Sequence, residues 1–210
     1  MNQKSGQNSL GLDNCFEDEA NPVDLFKKWF AVAEKSEIND PNALSIATSS
    51  KNGIPSVRMV LLKGLSDKGF VYYTNVNSKK GNDLKNNPNA SMCFHWKSIR
   101  RQVRVSGKVS VVDKEEADKY FSSRDYGSKI SAWASSQSEV MKNRNEFLNK
   151  IKEFEKKFPD KNNVPRPSHW AGWRVVPDEI EFWLEVKNRS HQRLIYKKVN
   201  NKWIKEILYP

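Results

Sequence analysis

Apolar residues at the start of the ordered-looking sequence recur at helical spacing. Leu25, Phe26, Trp29, Phe30 and Ala33 form one stripe of a 3.6-residue period. Asn21 offers a cap and Pro22 a first-turn residue, so the pattern predicts a helix beginning at 22. After Asp40-Pro41 the period changes to two. ALSIATSS, IPSVRMVLLKGL and FVYYTN, separated by the turn sequences Lys51-Asn52-Gly53 and Ser66-Asp67-Lys68-Gly69, read as three consecutive antiparallel strands. A short helix is expected around 78–86, then a strand at ASMCFHW. RRQVRVSGKVSVV alternates, with Val103, Val105, Val109 and Val111 on one face and Gln102, Arg104 and Lys108 on the other. Helices are expected over 114–123, 128–136 and 138–157, followed by the proline-punctuated loop NNVPRPSHW. Strands are expected near 171–176, 179–186, 191–198 and 202–208, the last two joined through Asn200-Asn201. Residues 1 to about 20 are polar and aperiodic and read as a flexible tail. Residues 21–210 read as a single α+β domain, an antiparallel barrel or sandwich with inserted helices.

Composition narrows the class. The chain of 210 residues can bury a full core, and seven Trp, ten Phe and six Tyr supply bulk that the modest apolar fraction lacks. No apolar run approaches the roughly 18 residues of a membrane helix. The N-terminal sequence has no apolar core of a secretory signal, and Cys15 and Cys93 make no disulfide framework. A cytoplasmic protein without a membrane partner is expected. The net charge of +11 raises the question of nucleic acid. The lysines, however, are spread from Lys27 to Lys205 with no accompanying recognition motif. Diffuse surface charge, partly aimed at small phosphorylated ligands, is therefore expected, and no nucleic-acid partner.

Several chemistries are excluded. There is no G-x-G, no H-E-x-x-H and no C-x-x-C. Cys93 and His95 share a strand face but lack a third ligand, so no metal is expected. Three stretches remain. RMVLLK puts Arg58 and Lys63 at the two ends of an apolar strand, on opposite faces unless a bulge intervenes; taken alone, ordinary solvated strand ends are the favoured reading. In YFSSRDYGSKISAWASSQS, Tyr120 and Arg124 are spaced i and i+4, Gly127 can break that helix, and Ser128 can cap the next. That grouping suits an anion at a helix start, or simply a capped helix pair. In NRSHQR, strand alternation aims Arg189, His191 and Arg193 the same way, with Trp183 offering a flat wall on the adjacent strand. Such a cationic face is costly to desolvate without counter-charge.

Taken in order, NPVDLFKKWF, RMVLLK, YYTN, SKK, RQVRVSG, YFSSR, SKISAWASSQS, VPRPSHWAGWRV, IEFW and RSHQR closely resemble the pyridoxine (pyridoxamine) 5'-phosphate oxidase family, from about Gly11 to Pro210. The resemblance implies an FMN-binding split β-barrel acting as a homodimer with FMN at the subunit interface. It implies that Arg58, Lys79 and Lys80 hold the FMN phosphate and that Met59, Val60, Leu61, Leu62, Lys63, Tyr73 and Thr74 line the cofactor. Gln102, Gln137, Ser138, Trp183 and Arg193 match further FMN-contacting positions. Lys63, Tyr120, Arg124 and Ser128 match the substrate-phosphate group, and Arg189 and His191 the catalytic pair over the substrate ring. The implied reaction oxidises pyridoxamine and pyridoxine 5'-phosphates to pyridoxal 5'-phosphate in vitamin B6 salvage, with O2 as acceptor and H2O2 as product.

The chain departs from the family pattern in places. Lys79-Lys80 stands where the family has Arg-Lys, and Ser190 and Gln192 replace Leu and Asp. The Arg- and Tyr-containing N-terminal segment of some members is absent. Two other readings compete: a split-barrel flavin oxidase of another ring, and a non-catalytic flavin- or nucleic-acid-binding basic domain. Lys63, Tyr120, Arg124 and Ser128 favour a phosphorylated substrate.

Overall fold

The computed structural model describes residues 7–210. Helix α1 (Pro22–Ser36) begins where Asn21 accepts a hydrogen bond from the Val23 amide through its side chain. The predicted stripe is the buried one. Phe26 meets Phe70 and Phe94 edge-on, each at 4.9 Å, with Trp96 at 5.7 Å, and so closes the barrel core. The strands are β1 (Ala43–Ser49), β2 (Pro55–Leu61), β3 (Gly64–Ser66), β4 (Gly69–Asn75), β5 (Asn89–Trp96), β6 (Arg101–Val111), β7 (Trp170–Leu184), β8 (Gln192–Val199) and β9 (Lys202–Leu208). All pair antiparallel in one sheet of order β2-β1-β5-β6-β7-β4-β3, with β8 and β9 continuing from β7. The sheet curls until β2 returns beside β4. This is the expected α+β split barrel.

The meander expected after residue 40 is only half realised. β1 and β2 form a hairpin, but β4 pairs with β3 and β7. The alternation of β6 holds through Val109, buried like Val103 and Val105, but at the strand's end Val111 is exposed and Val112 is buried. The ladder to β7 is offset where Ser106 faces Glu179 and Gly107 faces Pro177, which leaves Asp178 of β7 as the extra residue. A Cβ at Gly107 would lie 2.0 Å from the Val176 carbonyl oxygen, so only glycine permits the close approach. β7 runs on through Pro177 and the bulged Asp178 as one strand where the sequence suggested two, and its buried positions shift from Trp173 and Val175 to Ile180 and Phe182.

Helices α2 (Lys79–Asn86), α3 (Lys114–Ser122), α4 (Tyr126–Ala134) and α5 (Arg144–Lys157) flank the sheet. Asp125, not Ser128, caps α4, and Gly127 lies inside its first turn rather than breaking a helix. The connection before α5 stays irregular up to the cap at Asn143. Residues 7–20, read as tail, are packed instead. Leu12 and Phe16 are buried in the core, Trp29 donates from Nε1 to the Cys15 carbonyl at 2.6 Å, and the Asp13 amide donates to Gln192 Oε1 at 2.7 Å. The first six residues lie outside the described part. Among the described residues no helix is long and apolar enough to cross a membrane, and no cluster of metal-ligand side chains occurs.

Candidate active site

The sequence-assigned residues separate into two groups, placed by opposite ends of β7. At the first end, β4 delivers Tyr73 and Thr74 and turns tightly into α2. Ser78 caps α2 by accepting from the Gly81 amide, and a Cβ at Gly81 would lie 2.3 Å from the Val76 carbonyl oxygen. The tight turn carries Lys80 inward. Its ammonium is buried and donates to Thr74 Oγ1 at 2.7 Å, with Gln137 Oε1 at 3.4 Å and Ser78 Oγ at 3.5 Å. None of these partners is charged. Burial, and secondarily the Arg58 guanidinium, pulls the Lys80 pKa down to about 8. The Thr74 hydroxyl in turn donates to Gln137 at 3.0 Å, and the Lys79 amide donates to Ser138 Oγ at 3.2 Å. Ser138 holds a positive φ of 79°, which presents the loop to the start of α2.

Arg58 projects from β2 toward the same place and donates to Thr48 Oγ1 at 2.7 Å. The buried carboxylate of Asp83 receives Thr48 Oγ1 at 2.7 Å and lies 3.9 Å from Arg58 and 3.4 Å from Lys79. Sequence reasoning missed Thr48 and Asp83, whose roles depend on neighbours distant in the chain. Two of the three cations thus share one carboxylate, while Lys80 has none among the described residues.

Beside this cradle lies a cleft of about 350 Å³ lined in part by Tyr73, Arg124, Ser128, Gln137 and Trp170. Tyr73 stacks on Tyr120 at 4.1 Å and on Trp170 at 5.0 Å. Gly172, paired with Tyr73 across the ladder, leaves room for that ring; a Cβ there would meet Tyr73 at 2.7 Å. Arg124 lies over the Trp170 ring at 4.9 Å, and its Nη1 is buried with no hydrogen-bond partner among the described residues. Burial holds its pKa below the ordinary arginine value. An orphaned guanidinium nitrogen and an uncompensated ammonium next to a cleft fit anionic ligands. Trp170, unassigned from sequence, supplies the floor.

At the second end, Gln102, Trp183 and Arg193 are direct cross-strand partners on β6, β7 and β8, so their side chains share a face. His191 lies 4.7 Å from the Trp183 ring, and its Nδ1 accepts from the Val186 amide at 3.2 Å, which leaves Nε2 to carry the proton of the neutral ring. The expected strand alternation of 189, 191 and 193 does not form. Lys187–Arg189 is a 3-10 turn in which Asn188 and Arg189 take φ of 58° and 60°, and β8 starts only at Gln192. Arg189 is exposed on that turn. The face does have its counter-charge: Glu181, buried on β7, pairs with both Arg193 and Arg104. Gln192 points away from this face, to the N-terminal segment.

Other assigned positions are spread along β2. Met59 and Leu61 are exposed on this edge strand, Val60 is half-buried, Leu62 is buried, and Lys63 is exposed in the link to β3. From Gly172 to Trp183, β7 advances roughly 36 Å along its length at about 3.3 Å per residue. The two groups therefore do not meet around one small ligand within a single chain.

The sequence matches the family described as pyridoxamine 5'-phosphate oxidase over residues 32–158 and the pyridoxine 5'-phosphate oxidase C-terminal dimerisation region over residues 170–210. It is 57% identical to a pyridoxine/pyridoxamine 5'-phosphate oxidase of Pelagibacter ubique across 100% of both chains. It is 47% identical to one of Agrobacterium fabrum, covering 93% of this chain and 95% of that one. Among solved structures, PhzG from Burkholderia lata, in complex with tetrahydrophenazine-1-carboxylic acid, superposes with a TM-score of 0.88 at 28% identity. That match covers 98% of this chain and 100% of PhzG. An FMN-binding protein of Nostoc punctiforme shares the fold at a TM-score of 0.72 and 15% identity, covering 91% of this chain and 100% of that one.

Proposed function

The chain belongs to the pyridoxamine 5'-phosphate oxidase family of oxidoreductases, and we propose that it oxidises pyridoxamine and pyridoxine 5'-phosphates to pyridoxal 5'-phosphate. The observation that carries the reading is the pair of under-compensated cations, Lys80 in the cradle and Arg124 over Trp170. Two adjoining anion sites suit one phosphate on the cofactor and one on the substrate. FMN, when bound, would accept hydride from the substrate's exocyclic carbon and pass the two electrons to O2, giving H2O2; in the amine case water then hydrolyses the resulting imine to the aldehyde and ammonia.

The protein's residues supply binding and orientation. Arg58, Lys79 and Lys80, with Gln137 and Ser138, hold the FMN phosphate. Tyr73, Thr74 and the β2 residues Met59–Leu62 border the cofactor. Arg124, Ser128, Tyr120 and Lys63 take the substrate phosphate. Gln102, Trp183 and Arg193 face the flavin ring, and Arg189 and His191 clamp the pyridine, His191 donating from Nε2. Arg193 stabilises negative charge on the reduced ring.

A single chain holds these groups at opposite ends of β7, so the reading requires a homodimer in which each subunit completes its partner's site. Two features support it: the match of residues 170–210 to a dimerisation region, and the exposed apolar residues Val57, Met59 and Leu61 on edge strand β2. We assign the reaction to vitamin B6 salvage in the cytoplasm, with residues 21–210 as one oxidase domain.

The test is flavin absorbance of the purified protein and peroxide release from pyridoxamine 5'-phosphate against pyridoxamine. Release only from the phosphorylated amine is expected; equal release from both would undo the phosphate-site assignment. PhzG's ligand suggests oxidation of another ring as a second reading, but an orphaned Arg124 favours a phosphate.

A further inference from the structure

Glu181 has no role in the reading above, yet its surroundings are unusual for a sheet residue. Its side chain is 3% exposed, and each carboxylate oxygen takes a different arginine: Oε2 receives Arg104 Nη2, and Oε1 receives Arg193 Nε at 2.8 Å. Arg193 is held a second time, by donation from Nη1 to the Tyr209 carbonyl at 2.9 Å. A guanidinium is planar, so two fixed edges leave one orientation. Nη2 is the corner that makes no hydrogen bond within the described chain. Arg193 is the direct ladder neighbour of Trp183, itself paired with Gln102, so the three side chains rise from one face.

Stability alone does not call for a carboxylate here. Well-packed apolar residues often equal or exceed a buried ion pair. Burial pushes the Glu181 pKa up, but the hydrogen bonds from Arg193 and Arg104 outweigh it and hold the group below the ordinary carboxylate range. The carboxylate is therefore a fixed anion whose inner oxygen is dedicated to Arg193.

We propose that Glu181 and the Tyr209 main-chain carbonyl are positioning groups for the reaction, locking the Arg193 guanidinium so that only its Nη2 corner is offered to the cofactor. This rests on the reading that Arg193 faces the flavin. The C-terminal Tyr209-Pro210 pair, exposed and outside any strand, thereby acquires a function.

The test uses the holoenzyme, with two readouts: FMN dissociation by equilibrium dialysis and the midpoint potential of the bound flavin. Glu181→Gln keeps an acceptor and the side-chain shape while removing the charge. Deletion of residues 209–210 removes the carbonyl without touching the core. Each is expected to weaken FMN binding about tenfold, the scale of one misdirected charge-assisted hydrogen bond, and to move the potential negative. In an Arg193→Ala background neither change should add more than about twofold, because both act through Arg193. Equal losses in both backgrounds, or no change in either readout, would overturn the proposal. If Arg193→Ala itself leaves both readouts unchanged, the underlying placement of Arg193 falls, and this inference with it. Should Glu181→Gln fail to fold, the deletion decides the matter alone.

Discussion

The two ends of β7 handle positive charge in opposite ways. At the Trp170 end, Lys80 is buried against hydroxyls and an amide, and Arg124 has a buried nitrogen with no partner. At the Trp183 end, Arg193 is tied to a buried carboxylate and a carbonyl. A cation left short of partners has room for the counter-charge that the proposed ligand phosphates would bring. A cation already paired has part of its charge compensated, here by one carboxylate shared between two arginines, but its direction is fixed. The first end is suited to bind phosphates, the second to orient a group against a ring.

Removing an under-compensated cation should break the contrast most. Lys80→Met is expected to weaken FMN binding roughly a hundredfold, the loss of a charge-assisted contact. The same change should raise Tm of the flavin-free protein by about 3 °C, since a desolvated charge disappears with it. A flavin titration and a melting curve check both signs. Arg124→Ala should raise KM for pyridoxamine 5'-phosphate about thirtyfold while leaving FMN affinity within about twofold. Steady-state kinetics and dialysis separate the two effects.

Acid and alkali should act on different ends. The Lys80 pKa is lowered in the folded protein to about 8. Folding therefore carries its full desolvation cost below that value, and the cost is relieved as pH rises from about 8 toward the unfolded value. Anion binding follows the opposite course, because it needs the protonated ammonium. The FMN dissociation constant should rise above pH 8 by up to about tenfold per unit, and Lys80→Arg should remove the break. The lowered pKa of Glu181 has the reverse sense. Its contribution to stability is present above the ordinary carboxylate range and is lost as pH falls through the folded value. Acid titration of stability in Glu181→Gln should lack that component. The smallest effect is local: Asp125→Ala removes the α4 cap that sets Ser128 beside the cleft, costing about 1 kcal/mol in a denaturant melt with kcat unchanged.

Local pattern made much of this legible. The α1 stripe with its Asn21 cap, the β1–β2 hairpin and the Asn200-Asn201 turn, both residues at positive φ, depend on neighbours close in sequence. The candidate residues were also nameable, because RMVLLK, YFSSR and RSHQR are contiguous strings. What failed was phase and partnership. At the end of β6 Val112 lies inside in place of Val111, the extra residue Asp178 shifts the phase of β7, and left-handed residues at 188 and 189 replaced the strand that was to align Arg189 with Arg193. The N-terminal segment reads as polar tail, yet Leu12 and Phe16 find their pocket only once the barrel exists.

The sequence by itself determined most of the helix and strand inventory, the family and the identity of the cations, since periodicity, caps and motifs are carried by nearby residues. Only the tertiary structure decided which cations have counter-charges. Asp83 reaches Arg58 and Lys79, and Glu181 reaches Arg193 and Arg104, across strands and helices far apart in the chain. Electrostatic pairing and desolvation act through space, so the difference between a cation without a counter-charge and one already held is a property of the folded chain.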